Sequence, residues 1–118
     1  MKPDGFGVII KVTDLDLCRT FYRDVLNLGT PCIDSSFLVQ FQLTEGFSVT
    51  LLKTQAPFLE HASSAMFWCF ACADTEKLSE KLCSSGYPAL LEATEFGSAE
   101  YLRGRDPENN IFYVKRML

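Results

Sequence analysis

Histidine is nearly absent from this chain: among 118 residues there is one, His61. A metal centre built from imidazoles is therefore out of reach without other donors. His61 lies in Thr54–Ser64, a linker-like stretch with Pro57 and consecutive serines, and reads as a solvated loop residue. Long apolar runs are also missing. Stretches such as Met66–Ala73 are far too short to cross a bilayer, so no membrane contact is expected. Met1-Lys2-Pro3-Asp4-Gly5 is not followed by an apolar segment of the kind a secretion signal needs. No glycine-rich loop follows a strand, which argues against phosphate or dinucleotide binding. Cationic excess is lacking too. The net charge of -4 argues against a nucleic-acid binder, which needs a clustered basic face, and mildly favours neutral or cationic ligands.

Cysteine is present but in an odd number: Cys18, Cys32, Cys69, Cys72 and Cys83. Without a secretion signal this predicts reduced thiols and a cytoplasmic protein. Cys69-x-x-Cys72 has the spacing of a redox or zinc half-site, yet it lies in Phe67-Trp68-Cys69-Phe70-Ala71-Cys72, an apolar stretch that reads as a strand. Strand alternation sends the two thiols to opposite faces, and neither a helix N-terminus nor a second pair accompanies them.

What the sequence does hold is a pattern that occurs twice. Phe6–Val12 is rich in β-branched residues and reads as a strand; Thr13-Asp14-Leu15-Asp16 supplies a helix cap. Leu17, Phe21, Tyr22, Val25 and Leu26 recur at helical spacing, with Arg19, Arg23 and Asp24 on the wet face and Gly29 as the stop. A short strand around Pro31–Asp34 precedes a hairpin of Phe37–Leu43 and Phe47–Lys53 joined at Thr44-Glu45-Gly46. The order then restarts. Phe67–Cys72 is a strand, Asp74 a cap, and Leu78, Leu82 and Cys83 mark a helix ended by Gly86. Pro88–Thr94, Glu100–Arg105 and Ile111–Arg116 complete the second copy, with Asp106–Asn110 as a turn. Superposing Asp14 on Asp74 aligns the whole unit, an internal repeat of strand, helix and strands.

The expected fold is therefore α+β: two βαβββ modules forming a curved mixed sheet around a cleft, within one domain over residues 1–118. Module one spans about 5–54, a linker about 55–65, and module two about 66–118. Each helix covers one sheet face and leaves the other bare. Parity puts Val8, Ile10 and Val12 under the first helix and Gly7, Ile9 and Lys11 toward the cleft. In the second copy Trp68, Phe70 and Cys72 face the helix, leaving Phe67, Cys69 and Ala71 inward.

Val12-Thr13-Asp14-Leu15-Asp16 running into Phe21-Tyr22-Arg23-Asp24-Val25-Leu26 resembles the "V-x-D-(…)-F-Y-x-x-V-L" signature of the vicinal oxygen chelate superfamily. Asp106-Pro107-Glu108-Asn109-Asn110 is similar to its "D-P-D-G-N" turn. That superfamily includes glyoxalase I, bleomycin resistance proteins and extradiol dioxygenases. The resemblance covers nearly the whole chain and implies paired βαβββ modules and a homodimer. It also implies metal-ligand positions on the first and last strands of each module, here Gly7, Phe67, Leu52 and Tyr113. None of these is a His, Gln or Glu, and no neighbouring position supplies a His or carboxylate. No metal and no cofactor are expected.

The expected cleft is lined instead by Ile9, Lys11, Leu38, Gln40, Gln42, Leu52, Phe67 and Tyr113. Apolar walls with two amides suit an organic small molecule with planar groups. The leading expectation is a metal-free protein of the bleomycin-resistance type that binds an antibiotic-like or aromatic molecule. A glyoxalase-type lyase or dioxygenase with a displaced metal site, and a non-catalytic dimerising scaffold, are the alternatives.

Overall fold

A computed structural model describes residues 2–44, 46–55, 66–93 and 100–116; for Glu92, Ala93 and Glu100 it describes the backbone alone. Two compact units divide the chain, Met1–Ala62 and Ser63–Leu118. Each has its own four-stranded mixed sheet. His61 and Glu45 lie outside the described residues, as does most of the linker.

The first unit contains β1 (Phe6–Val12), α1 (Leu15–Thr20, continuing as a π-helical turn over Phe21–Val25), β2 (Ile33–Asp34), β3 (Leu38–Thr44) and β4 (Phe47–Lys53). Its sheet order is β1-β4-β3-β2, with β1 parallel to β4 and the other pairs antiparallel. The second unit repeats the plan with β5 (Trp68–Cys72), α2 (Thr75–Ser84), β6 (Leu90–Ala93), β7 (Glu100–Arg105) and β8 (Ile111–Arg116), ordered β5-β8-β7-β6. The expected α+β architecture of two βαβββ modules is what the chain forms. No described helix is long and apolar enough to cross a membrane.

Both helices start in the same way. The Asp14 carboxylate accepts from the Leu17 amide and the Asp74 carboxylate from the Lys77 amide, each at 3.0 Å. These bonds satisfy amides that the first helical turn leaves without partners. The helix ends differ. At α2 the Tyr87 amide reaches the Leu82 carbonyl and the Gly86 amide the Cys83 carbonyl, with Gly86 at φ 90°. This is a glycine-terminated Schellman cap. In the first module the π-helical turn takes up one extra residue, so the left-handed position falls on Asn27, at φ 59°. The stop is therefore Asn27 rather than Gly29. Asparagine tolerates that conformation through its short polar side chain.

The buried face of α1 differs from the expected one. Leu15, Cys18, Phe21, Tyr22 and Leu26 pack inward while Leu17 remains exposed, contrary to the expected face. Arg19 departs from expectation as well. It donates to the Asp16 carboxylate, to Asp34 (2.9 Å) and to the Ser35 carbonyl (3.0 Å), fastening α1 to β2.

Strand parity follows the expected phase. Ile10 and Val12 of β1, Val39 and Phe41 of β3, and Val49 and Leu51 of β4 are buried under α1. In the second module Leu102, Phe112 and Val114 are buried with Leu78 and Leu82 of α2, whereas Cys83 is exposed. Trp68, Phe70 and Phe112 stack on the helix side, with ring centroids 5.4–6.2 Å apart. Gly104 makes this possible: a Cβ there would lie 2.3 Å from Phe112 Cζ, so the ring lies over bare backbone. Each fully buried Phe, Leu or Val stabilises its module by about 1.5–3 kcal/mol.

Candidate functional site

The sheet face turned away from the helix is the remaining chemical surface of each module. On module one the register builds it in cross-strand rows. Ile9 of β1 lies opposite Thr50, which lies opposite Gln40, which lies opposite Ile33. Lys11, Leu52 and Leu38 form the next row, and Gly7, Ser48 and Gln42 the one on the other side. Six of the eight residues singled out by sequence, Ile9, Lys11, Leu38, Gln40, Gln42 and Leu52, thus share one face. Ile9 is 66% exposed, although isoleucine is ordinarily a core residue.

The two amides behave differently. Gln42 Nε2 donates to the carbonyls of Thr44 (2.6 Å) and Phe47 (2.9 Å), so its donors hold the β3–β4 turn. Gln40 Nε2 donates to Thr50 Oγ1 at 3.1 Å. Cys32 Sγ approaches the Gln40 carbonyl at 3.4 Å and Gln40 Oε1 at 3.7 Å. A thiol, an amide and a hydroxyl therefore stand together mid-face, with the apolar Ile9, Ile33 and Leu52 around them. Thr50 and Cys32 were not anticipated. The pairing Gln40↔Thr50 that unites them is a register, which strand propensity does not encode.

On module two the same face carries Cys69 opposite Tyr113, Tyr113 opposite Arg103, and Arg103 opposite Leu90. Ala71, Lys115, Tyr101 and Glu92 form the neighbouring row. The Phe67 and Tyr113 rings meet edge to face at 5.7 Å, and Tyr101 meets Tyr113 in the same manner at 6.2 Å. Both sequence-chosen residues of this module, Phe67 and Tyr113, are thus in direct contact. Tyr101 and Arg103 join them, on the face that strand parity over Glu100–Arg105 assigns to them. On the helix side, a cavity of about 310 Å³ is lined by Thr75, Glu76, Ser79, Leu91, Leu102 and Arg116, among others.

Cys69 is exposed on this face and Cys72 turns toward the helix side, so the thiols of Cys69-x-x-Cys72 diverge along one strand. The arrangement gives neither a redox pair nor half a zinc site.

No protein-family model matches the chain, and no curated protein matches it in sequence. Solved structures do. A glyoxalase-related enzyme from Fulvimarina pelagi superposes with a TM-score of 0.76 at 18% identity, covering 99% of this chain and 89% of that one. A lactoylglutathione lyase from Agrobacterium tumefaciens gives 0.71 at 20% identity, with coverages of 94% and 91%. A glyoxalase/bleomycin resistance protein from Catenulispora acidiphila gives 0.70 at 17% identity, with 97% and 98% covered. The chain has the vicinal oxygen chelate fold.

The metal associated with that fold can be tested against these residues. Gly7 has no donor atom, and a Cβ placed there would lie 2.8 Å from Ser48 Oγ. Phe67 offers a ring. On the outgoing strands the register makes Thr50, not Leu52, the counterpart of Tyr113: Thr50 lies opposite Ile9 as Tyr113 lies opposite Cys69. Neither a hydroxyl bonded to an amide nor a phenol in a ring contact belongs to the His, Cys and carboxylate set that holds divalent metals in proteins. Among the described residues, no three His, Cys, Asp or Glu side chains converge. The residues at the ligand positions of this vicinal oxygen chelate fold do not fit a metal.

Proposed function

We propose that this protein binds a planar organic small molecule, without a metal, on the strand faces turned away from its helices. The observation that carries the reading is the make-up of those faces. Aliphatic side chains on module one (Ile9, Ile33, Leu38, Leu52) and aromatic ones on module two (Phe67, Tyr101, Tyr113) stand beside amide, hydroxyl and cationic groups placed by cross-strand pairing, and the ligand positions lack metal donors. Apolar walls with a small number of oriented polar groups are the usual make-up of small-molecule sites. Likeness in fold to a glyoxalase/bleomycin resistance protein supports a binding role of the bleomycin-resistance type.

The protein acts as a homodimer in a reducing cytoplasm. All five cysteines are free thiols, and exposed apolar side chains such as Phe6, Ile9 and Phe37 favour association.

A thermal-shift series with planar aromatics and glycopeptide antibiotics tests the binding role. A rise in melting temperature that saturates with one compound class is expected. No shift with any compound, together with titrations that show no heat, would leave only the scaffold role. Metal analysis tests the other half. Stoichiometric Zn, Ni, Mn or Fe, with an activity lost to a chelator, would replace this reading by a lyase or dioxygenase with a displaced metal site.

A further inference from the structure

The chain carries a net charge of -4, but the open face of module two has the opposite sign. Arg103, Arg105 and Lys115 all lie on it. Glu92 takes a register position on the same face, beyond Tyr101 and diagonal to Arg103, so three cations stand against one acid. The acids of this module's helix, among them Asp74, Glu76 and Glu80, lie on the other side of the sheet. Cations and aromatic rings also alternate. Tyr101 lies opposite Lys115 and Arg103 opposite Tyr113, so rings occupy one diagonal of a two-by-two block and cations the other. Diagonal neighbours on such a face are about 7–8 Å apart, within reach of long side chains. Next to this block β5 presents only Cys69 and Ala71, both exposed and small. They leave a shelf bounded by Tyr113, Lys115 and the Phe67 ring.

From this arrangement we propose that the ligand of module two is a planar aromatic anion, an aryl carboxylate or its equivalent. The inference rests on the binding function proposed above and names its ligand class. Charge complementarity chooses the occupant. A neutral ring gains the edge and face contacts of Tyr113 and Phe67 but nothing from the cations. An aromatic cation gains the rings and is repelled by Arg103, Arg105 and Lys115. An aromatic anion takes both, with its ring on the Cys69–Ala71 shelf and its carboxylate toward Lys115 and Arg103. A guanidinium gives the carboxylate a two-pronged donor, and charge-assisted bonds of this kind are stronger than neutral ones. The negative net charge of the whole chain had pointed to neutral or cationic ligands. The local sign reverses that expectation.

Calorimetric titration of the full chain with three probes of one shape tests the assignment: 2-naphthoate, 2-naphthamide and 2-naphthylmethylammonium. The carboxylate should bind at least about tenfold more tightly than the amide, with the ammonium weakest, and added salt should narrow the gap. Lys115→Gln and Arg103→Gln should each remove most of the preference for the carboxylate while leaving amide binding in place. Lys81→Gln, on the exposed side of α2, removes the same formal charge and should change nothing. Equal binding of the three probes, or a preference for the ammonium, overturns the anion assignment and leaves the binding function standing. Binding of none also overturns the anion assignment, and the thermal-shift series decides the binding function separately. A carboxylate preference that survives Lys115→Gln and Arg103→Gln also overturns the assignment to this face.

Discussion

Asp106 shows how much one side chain organises here. It is 2% exposed, and its carboxylate accepts from the amides of Glu108 (2.8 Å) and Asn110 (2.9 Å) and from Asn110 Nδ2 (2.9 Å). Replacing it with alanine strands two backbone donors in the β7–β8 turn. Asp106→Ala should therefore cost about 2 kcal/mol or more, measured by urea unfolding. Asn109 in the same turn sits at φ 66°, the place where the "D-P-D-G-N" pattern has glycine. Asn109→Ala should cost about 1 kcal/mol through the left-handed backbone alone, and Asn109→Gly should stay close to the parent. Equal losses for the two would show that the Asn side chain, not the backbone angle, matters. The turn was legible in the sequence as Asp-Pro followed by asparagines. That Asp106 is buried was not, because burial depends on what packs over the turn.

At the scale of elements, the two caps are the nearest thing to an internal control. Asp14→Ala and Asp74→Ala each remove one carboxylate-to-amide bond of the same length, and each should cost about 1 kcal/mol in chemical unfolding. Arg19 tests the link between α1 and β2. Its guanidinium is held above its ordinary pKa, chiefly by the hydrogen bond to Asp16, partly opposed by desolvation and reinforced by Asp34. A cation raised in this way contributes its stability at every pH below its free value and loses it only as pH rises through the folded one. From the arginine side the clamp therefore holds across the whole working range. Arg19→Ala should cost on the order of 1 kcal/mol and speed amide exchange at Cys32 and Ser35, leaving β5–β8 unaffected. Slow exchange at those amides in the variant would mean that β3 pairing alone holds β2. The sequence located α1 but neither its buried stripe, which runs through Leu15 and Cys18 rather than Leu17, nor its π-helical turn, which puts the left-handed stop at Asn27. Helical periodicity assumes a constant turn, and one inserted residue changes its phase.

For the whole molecule, two expectations follow from composition and register together. Purified protein should carry no stoichiometric divalent metal, and a chelator should leave its melting temperature unchanged. Elemental analysis and a thermal melt decide both. Sedimentation equilibrium should return twice the chain mass, and a monomer at all concentrations would remove the homodimer from the proposed function. The sequence by itself determined the repeat, the two caps, the strand parity and the absence of donors at Gly7 and Phe67. Each of these depends on residue type and short spacing, which local physics reads directly. Only the tertiary structure decided which strands are neighbours and in what register. That register makes Thr50 the counterpart of Tyr113, joins Cys32, Gln40 and Thr50, and alternates rings with cations on module two. Such pairings come from contacts far apart in the chain, where a shift of one residue turns a strand's face over and no local signal fixes it.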